Sequence, residues 1–258
     1  MIFSETSEIT FVLTSCDRFD LLRRTLETFD FHNTAPLRHA FIVEDSGREG
    51  VYDCLPSHWV TNSTVIVNRC KLGQLASIDR VYEQVSTPWV FHCEDDWEFY
   101  RPGFIEDSIA LLSLDPCALQ VWLRSIKHDL SIHNPYIKTG PRLLFQQIPH
   151  YRVHSDNQDW QGFSFNPGVR RTADYRTHAP YAQHGSEKKL SRLYGSDGRY
   201  ALVLENDAVL HTGFNCHVER DTDRANKRRR KRYERLRVIL GFVGGMVLST
   251  LICWLSVA

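Results

Sequence analysis

Three consecutive acids, Glu94, Asp95 and Asp96, follow an apolar stretch in the segment PWVFHCEDDWEF, residues 88–99. Like charges placed side by side raise one another's pKa unless a cation lies among them. Divalent cations such as Mg²⁺ and Mn²⁺ take oxygen ligands, commonly one or two carboxylates together with phosphate oxygens. The triplet therefore predicts a divalent metal ion that also holds a diphosphate. The alternative interpretation is a solvated acidic turn.

The elements that must position these acids follow from hydrophobic patterning. Apolar, β-branched runs predict strands, amphipathic spacing predicts helices, and the two alternate: strands over 9–14, 39–45, 63–68 and 88–94, helices over 20–31 and 73–85. This alternation is typical of an α/β fold with a mostly parallel central sheet, whose ligands bind beyond the carboxyl ends of the strands. Three of the four predicted strand ends carry acids, so we expect one shared site there.

The second half of the chain is less regular. Its patterns predict a helix over 104–114, strands within 118–126 and 142–148, a helix over 186–198 and late strands within 199–206 and 208–213. Residues 151–200 are rich in polar and aromatic side chains, glycine and proline, which favours a loop-rich region that faces a substrate.

The order of the segments ITFVLTSCDR, FIVEDSG, GQLASIDRVYEQV and WVFHCEDDWEF resembles the nucleotide-diphosphate-sugar glycosyltransferases of the GT-A fold, family-2-like, over residues 9–215. The triplet is similar to their D-x-D motif, in a variant seen in some N-acetylglucosaminyltransferases. The resemblance implies a Rossmann-like, mostly parallel central sheet flanked by helices, and Mn²⁺ or Mg²⁺ as cofactor. It also implies transfer of a hexose or N-acetylhexosamine from a nucleotide-diphosphate-sugar donor to a hydroxyl of a glycan or lipid-linked acceptor.

The resemblance also implies roles for individual residues. Asp96 ligates the metal ion, and His211, in the segment AVLHTG, resembles the late histidine that ligates metal in many members of the fold. Asp95 contacts the ribose or shares the metal ion. Asp45 holds the base or ribose of the donor, and Thr14 and Arg18 lie along the nucleotide. At Gly73 a side chain would crowd the nucleotide.

Glu187, in the segment GSEKKL, resembles the acid that deprotonates the acceptor hydroxyl in inverting members, by general base catalysis in a single displacement. Asp156 and Asp159 are rival candidates for this base, and a helix-capping role is the alternative for Glu187. The usual E-D pair is Ser-Glu here and no Q-x-x-R-W follows, which argues against a processive polymerase.

The C-terminal segment differs from the rest of the chain. We expect a catalytic domain over 1–226, a basic juxtamembrane segment over 227–237, and a transmembrane helix over 238–257, which carries no charge. The basic flank predicts that the catalytic domain lies on the cytoplasmic side of a single-pass membrane protein. Gly241 and Gly245 form a GxxxG pattern that permits a homodimer through this helix. The alternative to a transmembrane helix is a buried core helix at the C-terminus. The alternative to helix pairing is that the two glycines are merely tolerated in a membrane helix.

Charge and cysteine content exclude other classes. The chain has 31 basic and 31 acidic residues; the tail from 227 onward holds eight of the bases and one acid, which leaves 23 bases and 30 acids before it. An acidic domain argues against a nucleic-acid partner. His92, Glu94 and Cys117 suggest the zinc deaminase pattern, but Gln120 replaces its last cysteine. The scattered seven cysteines favour a reducing compartment.

Two other functions fit an α/β domain of this kind. A sugar-1-phosphate nucleotidyltransferase should carry a glycine-rich phosphate loop after its first strand, and the segment TSCDRFD contains no glycine. An inactive, tail-anchored adaptor would have no need for acids at three strand ends.

Overall fold

The computed structural model describes residues 2–213. The predicted basic segment 227–237 and the predicted transmembrane helix 238–257 lie outside these residues. Within 2–213, no helix is both long enough and apolar enough to cross a membrane.

The strands, in chain order β1 to β11, are Ile9–Ser15, His39–Glu44, Ser63–Val67, Trp89–Glu94, Trp97–Phe99, Ala118–Trp122, Ile137–Phe145, Ile148–Ser155, Gly168–Arg171, Tyr200–Leu204 and Val209–His211. The α-helices, α1 to α6, are Phe19–His32, Gln74–Tyr82, Phe104–Leu114, Ser131–His133, Thr172–His178 and Glu187–Ser196. Short 3₁₀ turns cover Glu49–Cys54, Ser57–Trp59 and Tyr181–His184, and Ile126–Leu130 forms a π-helical turn.

The central sheet has the strand order β3-β2-β1-β4-β9. Strands β1 to β4 are parallel, and β9 runs antiparallel to β4. All seven residues of β1 are buried, as a strand with both faces covered requires. The prediction of an α/β fold with a mostly parallel central sheet is therefore confirmed.

Both faces of this sheet carry apolar cores. One face packs against α1 through Leu22, Leu26 and Phe29, which touch Phe11 and Phe91 of the sheet. The other face packs against α2 and α6, with side chains that include Val12, Ile78, Val90, Tyr181 and Leu190. Each fully buried side chain of this kind contributes roughly 1.5–3 kcal/mol to folding, so the sheet is a rigid platform for its own carboxyl edge.

A second sheet has the order β6-β10-β8-β7, and β5 pairs with β11 in a two-stranded ribbon. Residues 151–200, predicted to be loop-rich, instead hold the end of β8 together with β9, α5 and α6. Local patterning does not indicate β9, with the sequence GVRR, because it buries the side chain of Arg170, and arginine is usually found at the surface.

Candidate active site at the carboxyl edge of the sheet

Acidic side chains meet where the central strands end. The parallel register places Thr14 opposite Glu94, and Ser15 opposite Glu44, so β1, β2 and β4 end together. Asp45 follows directly after β2, and its backbone N–H donates a hydrogen bond to the Ser15 carbonyl at 2.9 Å. The convergence predicted from the sequence is therefore present in the fold.

Arg18 binds both aspartates of the triplet. Its Nη2 donates to Asp95 Oδ1, its Nε donates to Asp95 Oδ2 at 3.2 Å, and its Nη1 donates to Asp96 Oδ2 at 2.6 Å. The backbone N–H of Cys16 adds a bond to Asp95 Oδ2 at 3.2 Å. A bidentate guanidinium–carboxylate pair fixes orientation as well as charge. The loop after β1 thus holds the triplet in place.

The ribbon of β5 and β11 brings His211 to the same point. The register sets His211 opposite Trp97, and their ring centroids lie 4.8 Å apart. The N–H of Thr212 donates to the Asp96 carbonyl at 2.9 Å. As a result His211 Nε2 lies 3.2 Å from Asp96 Oδ2. The two residues assigned to the metal ion are neighbours, although they are far apart in the sequence.

The three acids differ in their protonation. Burial, together with the charges of Asp96 and Glu187, raises the pKa of Glu94 well above its ordinary value. Burial raises the pKa of Asp95 to about 6, against the opposing charge of Arg18. Burial acts in the same direction on Asp96, but the hydrogen bond from His211 and the charge of Arg18 outweigh it, so its pKa is lowered. Asp96 is the acid best suited to remain ionised as a ligand.

Asp96 and His211 fit two adjacent ligands of a divalent cation. Ligands about 2.1 Å from an octahedral metal ion lie about 3 Å apart, close to the 3.2 Å between Oδ2 and Nε2. An imidazole ligand favours Mn²⁺ over Mg²⁺, which prefers oxygen. Within residues 2–213, no group of three or more His, Cys, Asp and Glu side chains is arranged to hold a metal ion.

Asp45 holds the loop between β3 and α2. Its Oδ1 accepts hydrogen bonds from Asn68 Nδ2 and the Leu72 N–H, each at 2.8 Å, and its Oδ2 accepts one from the Gly73 N–H at 2.8 Å. Asp45 therefore shapes the loop through its side chain, and a direct contact of this carboxylate with the base or ribose stays a prediction.

Gly73 and Thr14 both lie at this edge. Gly73 has φ +88°, which L side chains rarely adopt, while a Cβ there would meet no atom within 4 Å. The backbone conformation by itself favours glycine here, and crowding of a nucleotide by a side chain at this position stays a prediction. Thr14 is buried, and its contact with the nucleotide stays a prediction.

Glu187 is the first residue of α6 and lines a cavity of about 120 Å³. Its Oε1 accepts the N–H of Phe165 at 2.9 Å. Burial raises its pKa, although that hydrogen bond and the charges of nearby arginines act in the opposite direction. Ser186 caps the helix by accepting the Lys189 N–H at 3.4 Å, so Glu187 itself is available to other partners. The full cavity lining is Trp122, Arg124, Asn134, Tyr136, Ile137, Trp160, Ser164, Asn166 and Glu187.

The rival acids are placed differently. Asp159 binds Arg192 and lies 3.8 Å from Lys188, and the hydrogen bond from Arg192 lowers its pKa. A carboxylate stabilised in this way is a weak base. The backbone N–H of Asp156 donates to the Tyr136 carbonyl at 3.0 Å, and neither acid lines the cavity of Glu187.

Further residues of the site carry no clear sequence signal. Gln74 donates to Glu94 at 2.7 Å, and Arg124 both lines the Glu187 cavity and lies over the Trp97 ring at 5.8 Å. Gly213 packs so closely against Asp96 that an added Cβ would lie 2.7 Å from the Asp96 Cβ. These roles depend on tertiary contacts between distant segments. The one available sequence signal is that these residues lie next to predicted site residues in the chain: Gln74 follows Gly73, and Gly213 ends the segment AVLHTG.

The structure is similar to solved glycosyltransferase structures. It matches GalNAc-T7 with UDP, GalNAc and Mn²⁺ with a TM-score of 0.56 at 13% identity, covering 81% of this chain and 45% of that one. It matches S. aureus TarS 1-349 in complex with UDP-GlcNAc with a TM-score of 0.52 at 12% identity, covering 82% and 62%. A scan of protein-family models and a search of curated proteins each gave no match.

These similarities define the fold. The described part of the chain has the GT-A fold, which is that of nucleotide-sugar glycosyltransferases. At 12–13% identity the likeness extends to the fold alone. The chain also spans less than two thirds of either protein, 45% of GalNAc-T7 and 62% of TarS 1-349.

Proposed function

We propose that the chain is a metal-dependent glycosyltransferase, which moves a hexose or N-acetylhexosamine from a nucleotide-diphosphate-sugar to a hydroxyl of a glycan or lipid-linked acceptor. The observation that carries this proposal is the 3.2 Å approach of His211 to Asp96 at the carboxyl edge of a GT-A sheet. This carboxylate and imidazole lie at the edge where such sheets bind ligands.

Donor binding falls to the loops of this edge. Asp96 and His211 would hold Mn²⁺, which when bound neutralises charge on the departing diphosphate. Arg18 sits beside both aspartates with a guanidinium suited to phosphate oxygens. The loop held by Asp45 and ended by Gly73 would enclose the nucleoside, and Thr14 would lie along it. Asp95, paired with Arg18, keeps that guanidinium in place and would contact the ribose or share the metal ion.

Glu187 would accept the proton of the acceptor hydroxyl. Its raised pKa means that the Glu187 carboxylate binds a proton more strongly than an ordinary glutamate does, which makes it a stronger general base. The cavity beside it gives an acceptor oxygen a place to approach. A base on one side of the sugar and a leaving diphosphate on the other favour a single displacement with inversion.

The test uses the full chain with a panel of UDP-, GDP-, CMP- and dTDP-sugars, and measures release of the nucleotide with and without Mn²⁺. We expect release from one donor class, dependent on Mn²⁺. Asp96→Asn and Glu187→Gln should each reduce transfer by about 100-fold or more. Asp159→Asn, a carboxylate outside the cavity, is the matched control and should retain activity.

Other outcomes would change the assignment. An equal loss of transfer activity in Asp159→Asn and Glu187→Gln would contradict the role of Glu187 as the base. Absence of both nucleotide binding and release with every donor would favour an inactive GT-A adaptor. Formation of a nucleotide sugar from a sugar phosphate would favour a nucleotidyltransferase.

We also propose that the chain is tethered to a membrane by residues 238–257 with its catalytic part on the cytoplasmic side. The support is the uncharged length of this segment and the basic cluster before it. This location would bring a soluble donor and a membrane-bound acceptor to the same enzyme. Pairing of two copies through Gly241 and Gly245 belongs to the same proposal.

A further inference from the structure

Arg170 of β9 is a buried arginine, with 3% of its surface exposed. Its Nη2 donates to the Ser164 carbonyl and lies 3.4 Å from the Asn166 carbonyl. Its guanidinium carbon lies 5.2 Å from the ring centroids of both Phe163 and Phe165. Within residues 2–213 it forms no ion pair with a carboxylate. A buried cation without a charged partner costs several kcal/mol, so the contacts that it makes need a reason.

The two carbonyl contacts and both ring contacts of Arg170 fall on one segment, residues 163–166, which we call the Phe163–Asn166 loop. The guanidinium also acts on the Tyr82 hydroxyl, which belongs to α2. The same loop contacts the start of α6, because its Phe165 N–H donates to Glu187 Oε1 at 2.9 Å. Ser164 Oγ accepts the N–H of Asn166 at 3.2 Å, which tightens the loop. The carbonyls of the loop thus bind Arg170 while one of its N–H groups binds Glu187. A displacement of this loop would move the Phe165 N–H, which is the hydrogen-bond donor that holds the Glu187 carboxylate.

We propose that Arg170 is a positioning residue for Glu187, which acts by fixing the Phe163–Asn166 loop so that the Phe165 N–H holds the carboxylate at the edge of the cavity. This proposal rests on the proposed role of Glu187 as the base. Arg170 does not itself line the cavity, so it positions Glu187 through the loop, while its charge also acts on the carboxylate directly.

The charge of Arg170 acts in the same direction as the hydrogen bond. Both lower the pKa of Glu187, against burial, which raises it. The other charged groups that face Glu187 are Arg124, at the end of β6, which lowers its pKa, and Glu94 of β4, whose own pKa is raised in part by Glu187. Loss of Arg170 should therefore raise the pKa of Glu187 further, while Arg124 and Glu94 remain unchanged.

Arg171, the next residue of β9, offers a matched control. It is also a partly buried arginine that binds backbone carbonyls, those of Ala118 at 2.7 Å and Asp115 at 2.9 Å. These carbonyls belong to the first residue of β6 and to the turn before it, and neither residue lines the cavity of Glu187. Substitution of Arg171 should lower stability to a similar extent without any effect on Glu187.

The experiment titrates the Glu187 carboxyl by ¹³C NMR in the full chain, with Glu187→Gln to assign the signal. Arg170→Gln should raise the pKa of Glu187 by about one unit. Arg170→Lys should raise it less, because the charge is kept and only the forked donor geometry is lost. Arg171→Gln and Arg171→Lys should leave it unchanged. Where transfer is measured, Arg170→Gln should lower kcat with little change in the donor KM.

An unchanged Glu187 pKa in both Arg170 variants would overturn the proposal, and so would an equal shift in the Arg171 variants. If Arg170→Gln does not fold, Arg170→Lys against Arg171→Lys decides the question. The titration needs no turnover, so absence of transferase activity in the wild-type chain would contradict the proposed function and still leave the positioning role decided.

Discussion

Gly213 packs against Asp96, and its missing side chain is what allows the aspartate to lie beside His211. An added Cβ would lie 2.7 Å from the Asp96 Cβ, closer than such atoms approach. We therefore expect Gly213→Ala to displace Asp96 and to reduce transfer by about 10–100-fold, since small displacements of reacting groups are costly. More Mn²⁺ should be needed for half-maximal activity, which a Mn²⁺ titration of activity would measure.

Gly140→Ala is the control for this substitution. A Cβ at Gly140 would meet its nearest atom, His154 Nε2, at 3.3 Å, so the neighbour has to move only slightly. Gly140 lies in β7, away from the triplet. An unchanged Mn²⁺ dependence in Gly213→Ala would show that Asp96 is not held as a metal ligand.

Glu187 should determine the acidic limb of the pH–rate profile. Its pKa is raised by burial, and a general base acts only when deprotonated. Activity should therefore rise with pH through a pKa above that of an ordinary glutamate, and the kcat/KM profile of the wild-type chain would measure it. An acidic limb that stays the same in the residual activity of Glu187→Gln would assign it to another group.

The same shift has a consequence for stability. Because the folded state holds the Glu187 proton more tightly than the unfolded state, the free energy of unfolding should fall as pH rises from the unfolded to the folded pKa. Glu187→Gln should remove this part of the pH dependence. Urea unfolding at a series of pH values would compare the two proteins, and equal slopes would contradict the raised pKa.

At the scale of elements, the start of α2 combines stability with donor binding. Gly73 has φ +88°, and its N–H is bound by Asp45. Gly73→Ala should cost about 1–2 kcal/mol of unfolding free energy, since alanine rarely adopts this conformation. It should also weaken binding of the donor nucleotide, because the loop that Asp45 holds would shift.

Gly198 provides the comparison for Gly73. It has φ +76°, and a Cβ there would also meet nothing within 4 Å, but it lies in the turn after α6. Gly198→Ala should lose a similar unfolding free energy and keep donor affinity. Chemical denaturation and calorimetric titration with a nucleoside diphosphate measure the two effects. Equal donor affinity in both variants would remove the α2 loop from the donor site.

Local patterns were sufficient for the elements up to β4 and, after it, for α3, β6, α6, β10 and β11. They were insufficient for β9 and α5, which were not predicted. The strands β1 to β4 are apolar along their length, so each segment indicated its own structure. In β9 the side chain of Arg170 finds its partners on the Phe163–Asn166 loop, and no local window shows this. The positions of Asp96 and Glu187 at the site could be predicted from motifs, whereas Arg170 and Gly213 act only through tertiary contacts.

At the scale of the whole molecule, the site depends on three separate parts of the described chain. The parallel strands supply the acids and Arg18, the ribbon of β5 and β11 supplies His211, and α6 supplies Glu187. Each part is held in place by its own packing or hydrogen bonds. Groups held in this way are what the proposed transfer reaction, with its charged leaving group, would require.

Charge distribution along the chain leads to a prediction about its location. The sequence before residue 227 has seven more acids than bases, while the segment 227–237 is strongly basic and precedes 20 uncharged residues. An acidic domain has little attraction of its own for anionic lipids, so membrane binding should depend on the C-terminal segments. The full chain should sediment with membranes and resist extraction by carbonate and by high salt, and only detergent should release it.

Two truncations separate the contributions to membrane binding. A chain that ends at 226 should be found in the soluble fraction, whereas a chain that ends at 237 should bind anionic vesicles only at low salt, because its attachment is electrostatic. In sealed vesicles of known orientation, protease added to the cytoplasmic face should digest the catalytic part of the full chain. An apolar segment of this length is stable either in a lipid bilayer or in the interior of a protein. Recovery of the full chain in the soluble fraction would therefore favour a buried helix at 238–257.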